Sequence, residues 1–186
     1  MGEVKESSKA ADEKEFHGKR ILVTGGTRGI GAAIVDRLTA GGGQLITTGR
    51  SVQSDTARDG FVQADISTAD GIDQIVRAIT ERLGGIDILI HNVGGSAAHG
   101  GGALALTDVD WQYAFDTNLF GAVRLDRAFL PAMIKQCFGV IVHISSIQRT
   151  LPLYGRFPIH FESWWNHSGR CQWYGRNTLS RDRVYQ

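Results

Sequence analysis

The chain has 186 residues, and its 20 basic residues nearly balance 19 acidic ones, for a net charge of +1. This balance argues against a protein that binds nucleic acid or an anionic membrane surface. The length suits one domain with a substantial core, and no apolar run approaches the ~20 residues that span a bilayer. The two cysteines form no CxxC pair, which favours a reduced, cytoplasmic protein. From the charge and the short apolar runs, we expect neither nucleic-acid nor membrane partners.

Composition divides the chain into three parts. Residues 1–18 are charged and almost free of apolar side chains, which predicts a flexible tail. Residues 19–155 carry regularly spaced apolar segments and form the predicted folded domain. Residues 156–186 contain three of the four tryptophans but no lysine, no alanine and no helical period, so we interpret them as an atypical C-terminal tail.

A glycine-rich turn, TGGTRGIG at residues 24–31, follows an apolar run at 21–23. Apolar residues then recur at helical spacing, Ile30 with Ile34 and Ala33 with Leu38. The pattern predicts a buried strand, a tight turn and a helix. Between a strand and a helix, such a turn favours a bound phosphate, because the backbone N–H groups at the helix N-terminus attract an anion. Without a strand before them and a helix after them, the same glycines would indicate only a tight turn.

The region from Lys19 to Ile144 alternates short apolar strands with helical patterns, which is typical of a parallel sheet covered by helices on both faces. We predict a Rossmann-like, doubly wound, three-layer α/β/α fold with strand order 3-2-1-4-5. The predicted strands are Arg20–Val23, Gln44–Thr48, Gly60–Gln63, Ile86–His91 and Val140–Ile144.

Two later helices are also predicted. The first has one apolar stripe, and Ser67 and Asp70 are spaced like a capping box before it. The second spans Asp108 to Lys135 and is apolar on more than one side. We therefore expect the second helix to be covered both by the sheet and by another surface, for which a partner subunit in a homo-oligomer is one candidate.

Arg50 lies 19 positions beyond Gly31, at the end of the second predicted strand, where a dinucleotide fold contacts the adenosine ribose. An acidic residue there would accept a hydrogen bond from a free 2′-hydroxyl, whereas an arginine pairs with a 2′-phosphate. Arg28 could contact the same phosphate from the glycine turn. The pattern favours NADP(H) over NAD(H), and the alternative is two solvated surface arginines.

These residues resemble the short-chain dehydrogenases/reductases, whose TGxxxGxG turn is matched by residues 24–31. The resemblance extends from about Gly18 to Leu153. His91 to Gly94 is similar to the family's NNAG sequence, with His91 and Val93 as departures. Asn118 occupies the position of the family's helix asparagine, and Ser146 ends a segment similar to its serine-bearing strand.

The resemblance implies an NAD(P)-binding domain that transfers a hydride between the cofactor and a small-molecule carbonyl or alcohol. It also implies that Ser146, rather than the neighbouring Ser145, binds the substrate oxygen and that Asn118 holds a water in a proton relay. The alternative for each is a hydroxyl or amide that caps backbone at a strand end. Asp65 would contact the adenine amino group, with a turn carboxylate as its alternative role. The implied cofactor contacts are Thr24, Gly25, Thr27, Arg28, Gly29, Ile30, Gly31, Arg50, Asp65, Ile66, Asn92, Val93 and Gly94.

The C-terminal part departs from the family, which pairs an acidic tyrosine with a lysine four residues later. The last lysine is Lys135, and Tyr154 has Pro158 at the lysine position. The predicted fold is therefore incomplete and lacks strands six and seven. One hypothesis is an NADP-dependent oxidoreductase; the alternative is a catalytically inactive NADP-binding fragment or interaction protein from a truncated or frame-shifted gene.

Histidines occur in two other parts of the sequence. His160, His167 and Cys171 fit no common zinc spacing, so the sequence predicts no metal site. His99 lies in a glycine-rich loop after the fourth predicted strand, where α/β sheets place substrate contacts. It could border a substrate pocket or belong to an ordinary loop.

Overall fold

The computed structural model describes residues 14–51, 60–95 and 105–146. The boundary between the C-terminal tail and the folded domain lies outside these residues. So do the predicted roles of His99 and of Tyr154, and the group formed by His160, His167 and Cys171.

Five parallel strands form one sheet in the order β3-β2-β1-β4-β5, which confirms the predicted topology. The strand ends differ from the predicted ones by at most two residues. The strands are β1 Arg20–Thr24, β2 Gln44–Gly49, β3 Phe61–Gln63, β4 Ile88–His91 and β5 Val140–His143. The helical segments are α1 Gly29–Ala40, α2 Ala69–Leu83, α3 Asp108–Phe115, a π-helical segment Asp116–Phe120 and α4 Gly121–Lys135.

The sheet lies between two layers of helices, as predicted. Because successive side chains of a strand point to opposite faces, β1 contributes to both halves of the core. Ile21 and Val23 pack on the face covered by α1. Leu22 packs on the opposite face, with the buried side chains of α2 and α4. Strands buried on both faces account for the continuous apolar runs in the sequence.

Only part of the apolar surface of α1 is buried. Gly31, Val35 and Leu38 face the sheet, whereas Ile30 is 67% exposed. Ile30 lies in the first turn of the helix and borders a crevice at the edge of the sheet. Its apolar side chain therefore faces open space that a ligand could fill. The predicted strand, turn and helix are present.

The predicted capping box of α2 is also wrong by one residue. Thr68, with extended backbone, caps the helix by accepting a hydrogen bond from the Gly71 N–H at 3.0 Å. Ser67 instead donates its hydroxyl to Asp65 at 2.7 Å. The residue directly before the first helical turn has the extended backbone that a cap requires, and here that residue is Thr68.

The predicted helix from Asp108 to Lys135 is interrupted by the π-helical segment at 116–120. Its apolar side chains do lie on two sides. Leu125, Phe129 and Met133 are buried in the core, while Val123 and Ile134 are exposed. Within the described residues, no helix is both long and apolar enough to cross a membrane.

A bidentate ion pair joins β1 to the start of β4. The Arg20 guanidinium donates to the Asp87 carboxylate through Nε at 3.0 Å and through Nη2 at 2.7 Å. The Arg20 backbone N–H donates to the same carboxylate at 3.0 Å. Burial acts to raise the pKa of Asp87, but the hydrogen bonds from Arg20 outweigh burial and hold this pKa below its ordinary value.

The lowered pKa of Asp87 predicts an acid-dependent contribution to stability. The ion pair stabilises the fold above the unfolded-state pKa of about 3.9, and this stabilisation is lost as the pH falls through the lower folded-state pKa. We expect Asp87→Asn to lower the free energy of unfolding by about 1–2 kcal/mol at pH 7. The difference from wild type should shrink at acidic pH in urea titrations. Asp73→Asn, on the exposed side of α2, is the control, and an equal pH dependence in both variants would contradict the assignment.

Candidate functional site

A crevice of about 780 Å³ opens at the carboxyl ends of the strands. The strand order reverses between β1 and β4, and this is the position where doubly wound sheets bind their ligands. The turn after β1, the ends of β2 and β3, the segment after β4 and helix α3 all contribute to its walls. Its volume is in the range of about 300–1,000 Å³ that small-molecule sites occupy.

The glycine turn forms the floor of this crevice. Arg28 precedes α1 with extended backbone, and the first turn of the helix begins at Gly29. The N–H groups of such a first turn have no intrahelical acceptor and attract an anion. Gly31 lies against the turn itself, since a Cβ there would be 2.2 Å from the Gly25 carbonyl oxygen. Close approach of turn and helix therefore requires glycine at position 31.

A hydrogen-bond network under the turn joins β1 to β4. The Thr24 hydroxyl donates to the Ile90 carbonyl and accepts from the backbone N–H groups of Asn92, at 3.0 Å, and Val93, at 3.2 Å. The Asn92 amide donates back to the carbonyls of Thr24, at 3.2 Å, and Gly25, at 3.1 Å. Thr24 is fully buried and supports the turn from below the crevice, so its predicted contact with the cofactor stays a prediction.

Arg50 and Tyr113 meet at one side of the crevice. The Arg50 guanidinium donates to the Tyr113 hydroxyl at 2.9 Å, and both residues line the cavity. The Gln63 side chain donates to the Arg50 carbonyl at 3.1 Å. These contacts place a positive charge at the end of β2.

Asp65 lines the same cavity and also organises a turn. One carboxylate oxygen accepts from the Ser67 N–H at 2.9 Å and from the Ser67 hydroxyl at 2.7 Å. The turn role that the sequence left as an alternative is therefore present, and it leaves the side chain at the crevice wall.

Asn118 lies in the π-helical segment and connects it to the chain after β4. Its amide nitrogen donates to the carbonyls of Gly95, at 3.0 Å, and Ala114, at 2.9 Å, while its oxygen accepts from the Gly95 N–H at 2.8 Å. π-helical segments frequently occur at functional sites, and this one directs the amide towards the loop. Ser146 follows β5 and is half-buried, but the described crevice wall does not include it.

Twelve of the thirteen predicted cofactor residues line the crevice, and Thr24 lies beneath it. Seven further lining residues were not predicted: Thr48, Gly49, Ser51, Ala64, Gly95, Tyr113 and Thr117. Those at the ends of β2 and β3 could have been found from the rule that ligands lie beyond the carboxyl ends of parallel strands. Tyr113 had no sequence feature to indicate it, since its position depends on how α3 folds over the sheet.

The family model described as short chain dehydrogenase matches residues 19–157. The chain belongs to the short chain dehydrogenase family. This confirms the resemblance drawn from the glycine turn and makes the chain a member of an oxidoreductase family. The crevice between β1 and β4, where the strand order reverses, agrees with this family assignment.

Curated relatives match most of this chain. It is 32% identical over 143 residues to the 3-oxoacyl-acyl-carrier-protein reductase of Escherichia coli strain K12, covering 73% of this chain and 58% of that protein. The corresponding reductase of Vibrio cholerae is 30% identical with the same coverage. The chain thus spans little more than half the length of these relatives.

Solved structures show the same fold with different cofactors. The NADH-dependent reductase A1-R′ of alginate metabolism has a TM-score of 0.75 and 26% identity, covering 83% of this chain and 70% of its own. L-Sorbose reductase from Gluconobacter frateurii, complexed with NADPH and L-sorbose, also has a TM-score of 0.75, with 27% identity and coverage of 81% and 60%. The family thus includes users of either nicotinamide cofactor.

The close contact at Gly31 predicts a sharp response to a single methyl group. We expect Gly31→Ala to lower the free energy of unfolding by about 1–3 kcal/mol, because the added Cβ forces the turn away from the helix. Urea unfolding of the full chain measures this. Gly95→Ala is the matched control, since a Cβ at that position meets no atom within 4 Å. Equal destabilisation of the two variants would contradict the close contact as its cause.

Proposed function

We propose that this short chain dehydrogenase binds NADP(H) in the crevice and transfers a hydride between the nicotinamide and a small-molecule carbonyl or alcohol. The turn at 24–31 and the N-terminus of α1 would hold the pyrophosphate. Arg50, together with Arg28, would hold the 2′-phosphate. The observation that carries the cofactor preference is the position of Arg50 on the crevice wall, at the end of β2.

The geometry of Arg50 suits phosphate binding. One of its five N–H donors binds the Tyr113 hydroxyl, which restricts the guanidinium and leaves other donors for a phosphate. Arg28 is also exposed at the crevice, on the glycine turn. Two arginines at this edge favour a dianionic group over a neutral ribose hydroxyl, and arginine pairs with phosphate in a bidentate manner.

The similar proteins do not decide between the cofactors, because one is described as NADH-dependent and another is complexed with NADPH. The preference for NADP(H) therefore depends on this chain's own residues. An acidic side chain directly after β2 would have favoured NAD(H), but this chain has Arg50 there.

The nicotinamide supplies the hydride when it is bound, and the protein supplies binding and orientation. Ser146 would donate a hydrogen bond to the substrate oxygen, where negative charge develops. Asn118 would keep the segment after β4 in place beside the cofactor through its three bonds to backbone. From the same position, Asn118 would also bind the proposed water of the proton relay.

A second candidate function is NADP(H) binding without turnover. It is favoured by one observation, namely that no tyrosine after Ser146 has a lysine four residues later. An unperturbed phenol, with a pKa near 10, is a poor acid at neutral pH. Cytoplasmic location and a homo-oligomer formed through Asp108–Lys135 remain predictions under both candidate functions.

The cofactor preference is tested by titrating the purified chain with NADPH and with NADH. We expect NADPH to bind more tightly, and Arg50→Ala to weaken NADPH by about 10- to 100-fold while leaving NADH little changed, because only NADPH loses a charge-assisted hydrogen bond. Arg77→Ala is the matched control on the exposed side of α2. If wild type binds the two cofactors equally well, Arg50 does not select NADPH and the proposed preference is wrong.

Turnover is tested separately by following NADPH oxidation with a panel of carbonyl compounds. Hydride transfer predicts a carbonyl-dependent rate that falls by about 10²- to 10³-fold in Ser146→Ala, as when an oxyanion donor is removed. Ser145→Ala, at the exposed neighbouring hydroxyl, should retain the rate. NADPH binding without any carbonyl-dependent oxidation would instead establish the second candidate.

A further inference from the structure

Three metal-ligating side chains meet beside the crevice on β4, β5 and α4. His91 and His143 are register partners on adjacent strands, and their rings stack with centroids 4.6 Å apart. Asp126 faces both: its Oδ1 lies 2.8 Å from His91 Nε2, and its Oδ2 lies 3.8 Å from His143 Nε2. One ligand atom from each residue therefore falls within 4.8 Å of the other two.

A second observation points to a ligand at this cluster. A cavity of about 20 Å³, lined by His91, His143 and Thr117 among others, lies beside it. A space of roughly 10–15 Å³ or more is enough for one water. The Thr117 hydroxyl is buried and has no hydrogen-bond partner within the described part of the chain. A polar cavity of this size with an unsatisfied hydroxyl can hold one small polar species.

We propose that His91, Asp126 and His143 form a three-ligand site for a divalent transition-metal ion of the zinc type, with a water in the adjoining cavity as a fourth ligand. The donor set of two imidazoles and one carboxylate suits such an ion, and three protein ligands plus water are typical of open zinc sites. None of the three ligands is a proposed cofactor contact, although Ile66 and Val93 line both the small cavity and the crevice. The metal proposal does not depend on the proposed function.

The distances agree with this assignment. Tetrahedral coordination at about 2.0–2.1 Å places neighbouring ligand atoms about 3.3 Å apart. The Asp126 oxygens lie 2.8 Å from His91 Nε2 and 3.8 Å from His143 Nε2, and the three ligand atoms lie within 4.8 Å of one another. Side-chain rotations that bring one Asp126 oxygen and both ring nitrogens closer together would complete the site.

The Asp126 carboxylate lies near the Nε2 atoms of both rings, and this negative charge favours a cation at the nitrogen edges of the rings. Two protonated imidazoles stacked at this distance would repel each other, and one carboxylate cannot neutralise both. A divalent ion instead accepts a lone pair from each neutral ring and from the carboxylate. His91 is buried, whereas the side chains of Asp126 and His143 are 22% and 33% exposed, so an ion could reach the cluster from solvent.

The surroundings of His91 set an expectation for affinity. Ligating histidines usually donate their other ring N–H to a partner, and losing such a partner weakens metal binding by about 10- to 100-fold. The Nδ1 atom of His91 is buried without a partner among the described residues. We therefore expect reversible binding that a chelator removes, rather than the tight binding of closed structural sites.

The experiment uses the full chain, stripped with a chelator and then titrated with ZnCl₂ alone in equilibrium dialysis. We expect one ion per chain, a rise in Tm on addition of Zn²⁺, and a visible absorption spectrum of tetrahedral type when Co²⁺ replaces it. His91→Asn and His143→Asn should each weaken this binding by on the order of 100-fold and abolish the rise in Tm.

His17→Asn is the matched control, because His17 is exposed and lies before the amino end of β1, whereas His91 and His143 lie at the carboxyl ends of β4 and β5. It should bind Zn²⁺ like wild type. Circular dichroism checks the fold of each variant, and if buried His91→Asn fails to fold, the third-exposed His143→Asn remains as the test. Absence of Zn²⁺ binding by wild type, or a site that persists in His143→Asn, would overturn the proposal.

Discussion

The side chains of Thr24 and Asn92 join the ends of β1 and β4, and the crevice depends on this junction. Parallel neighbours whose connections leave in opposite directions separate beyond their last shared hydrogen bond, which opens a gap. The Thr24 hydroxyl and the Asn92 amide bridge that gap beneath the glycine turn. The turn is therefore held from below, and α1 begins at a fixed position relative to the sheet. Phosphate binding requires this rigidity, because the backbone N–H groups must already converge before the anion arrives.

Much of the fold could be predicted because its strands are buried on both faces. Such strands appear as short continuous apolar runs, for example Ile21–Val23, and their order follows from the connection rules of α/β proteins. The crevice residues could be predicted for a related reason. The carboxyl ends of parallel strands converge at one edge, so residues after each strand, such as Arg50, Asp65 and Asn92, are brought together by the topology.

The features that were missed depend on geometry across the chain or on single-residue boundaries. Whether Ser67 or Thr68 caps α2 is decided by which residue has extended backbone at the helix start, and both residue types satisfy the sequence rule. The contact between Arg50 and Tyr113 joins residues 63 positions apart through the placement of α3. No sequence pattern near Tyr113 indicates that its hydroxyl will reach Arg50. Likewise, the role of Thr24 is revealed only by its burial below the turn.

The cluster of His91, Asp126 and His143 was missed for the same reason, and its position links the two proposals physically. Histidines on different strands become neighbours only through the register of β4 with β5. The small cavity beside them shares Ile66, Val93 and Thr117 with the wall of the large crevice. An ion bound there would fasten β5, which pairs only with β4 in the described sheet, to α4. Ser146 lies three residues after the end of β5, so the position of the proposed substrate contact would depend on how firmly that strand end is held.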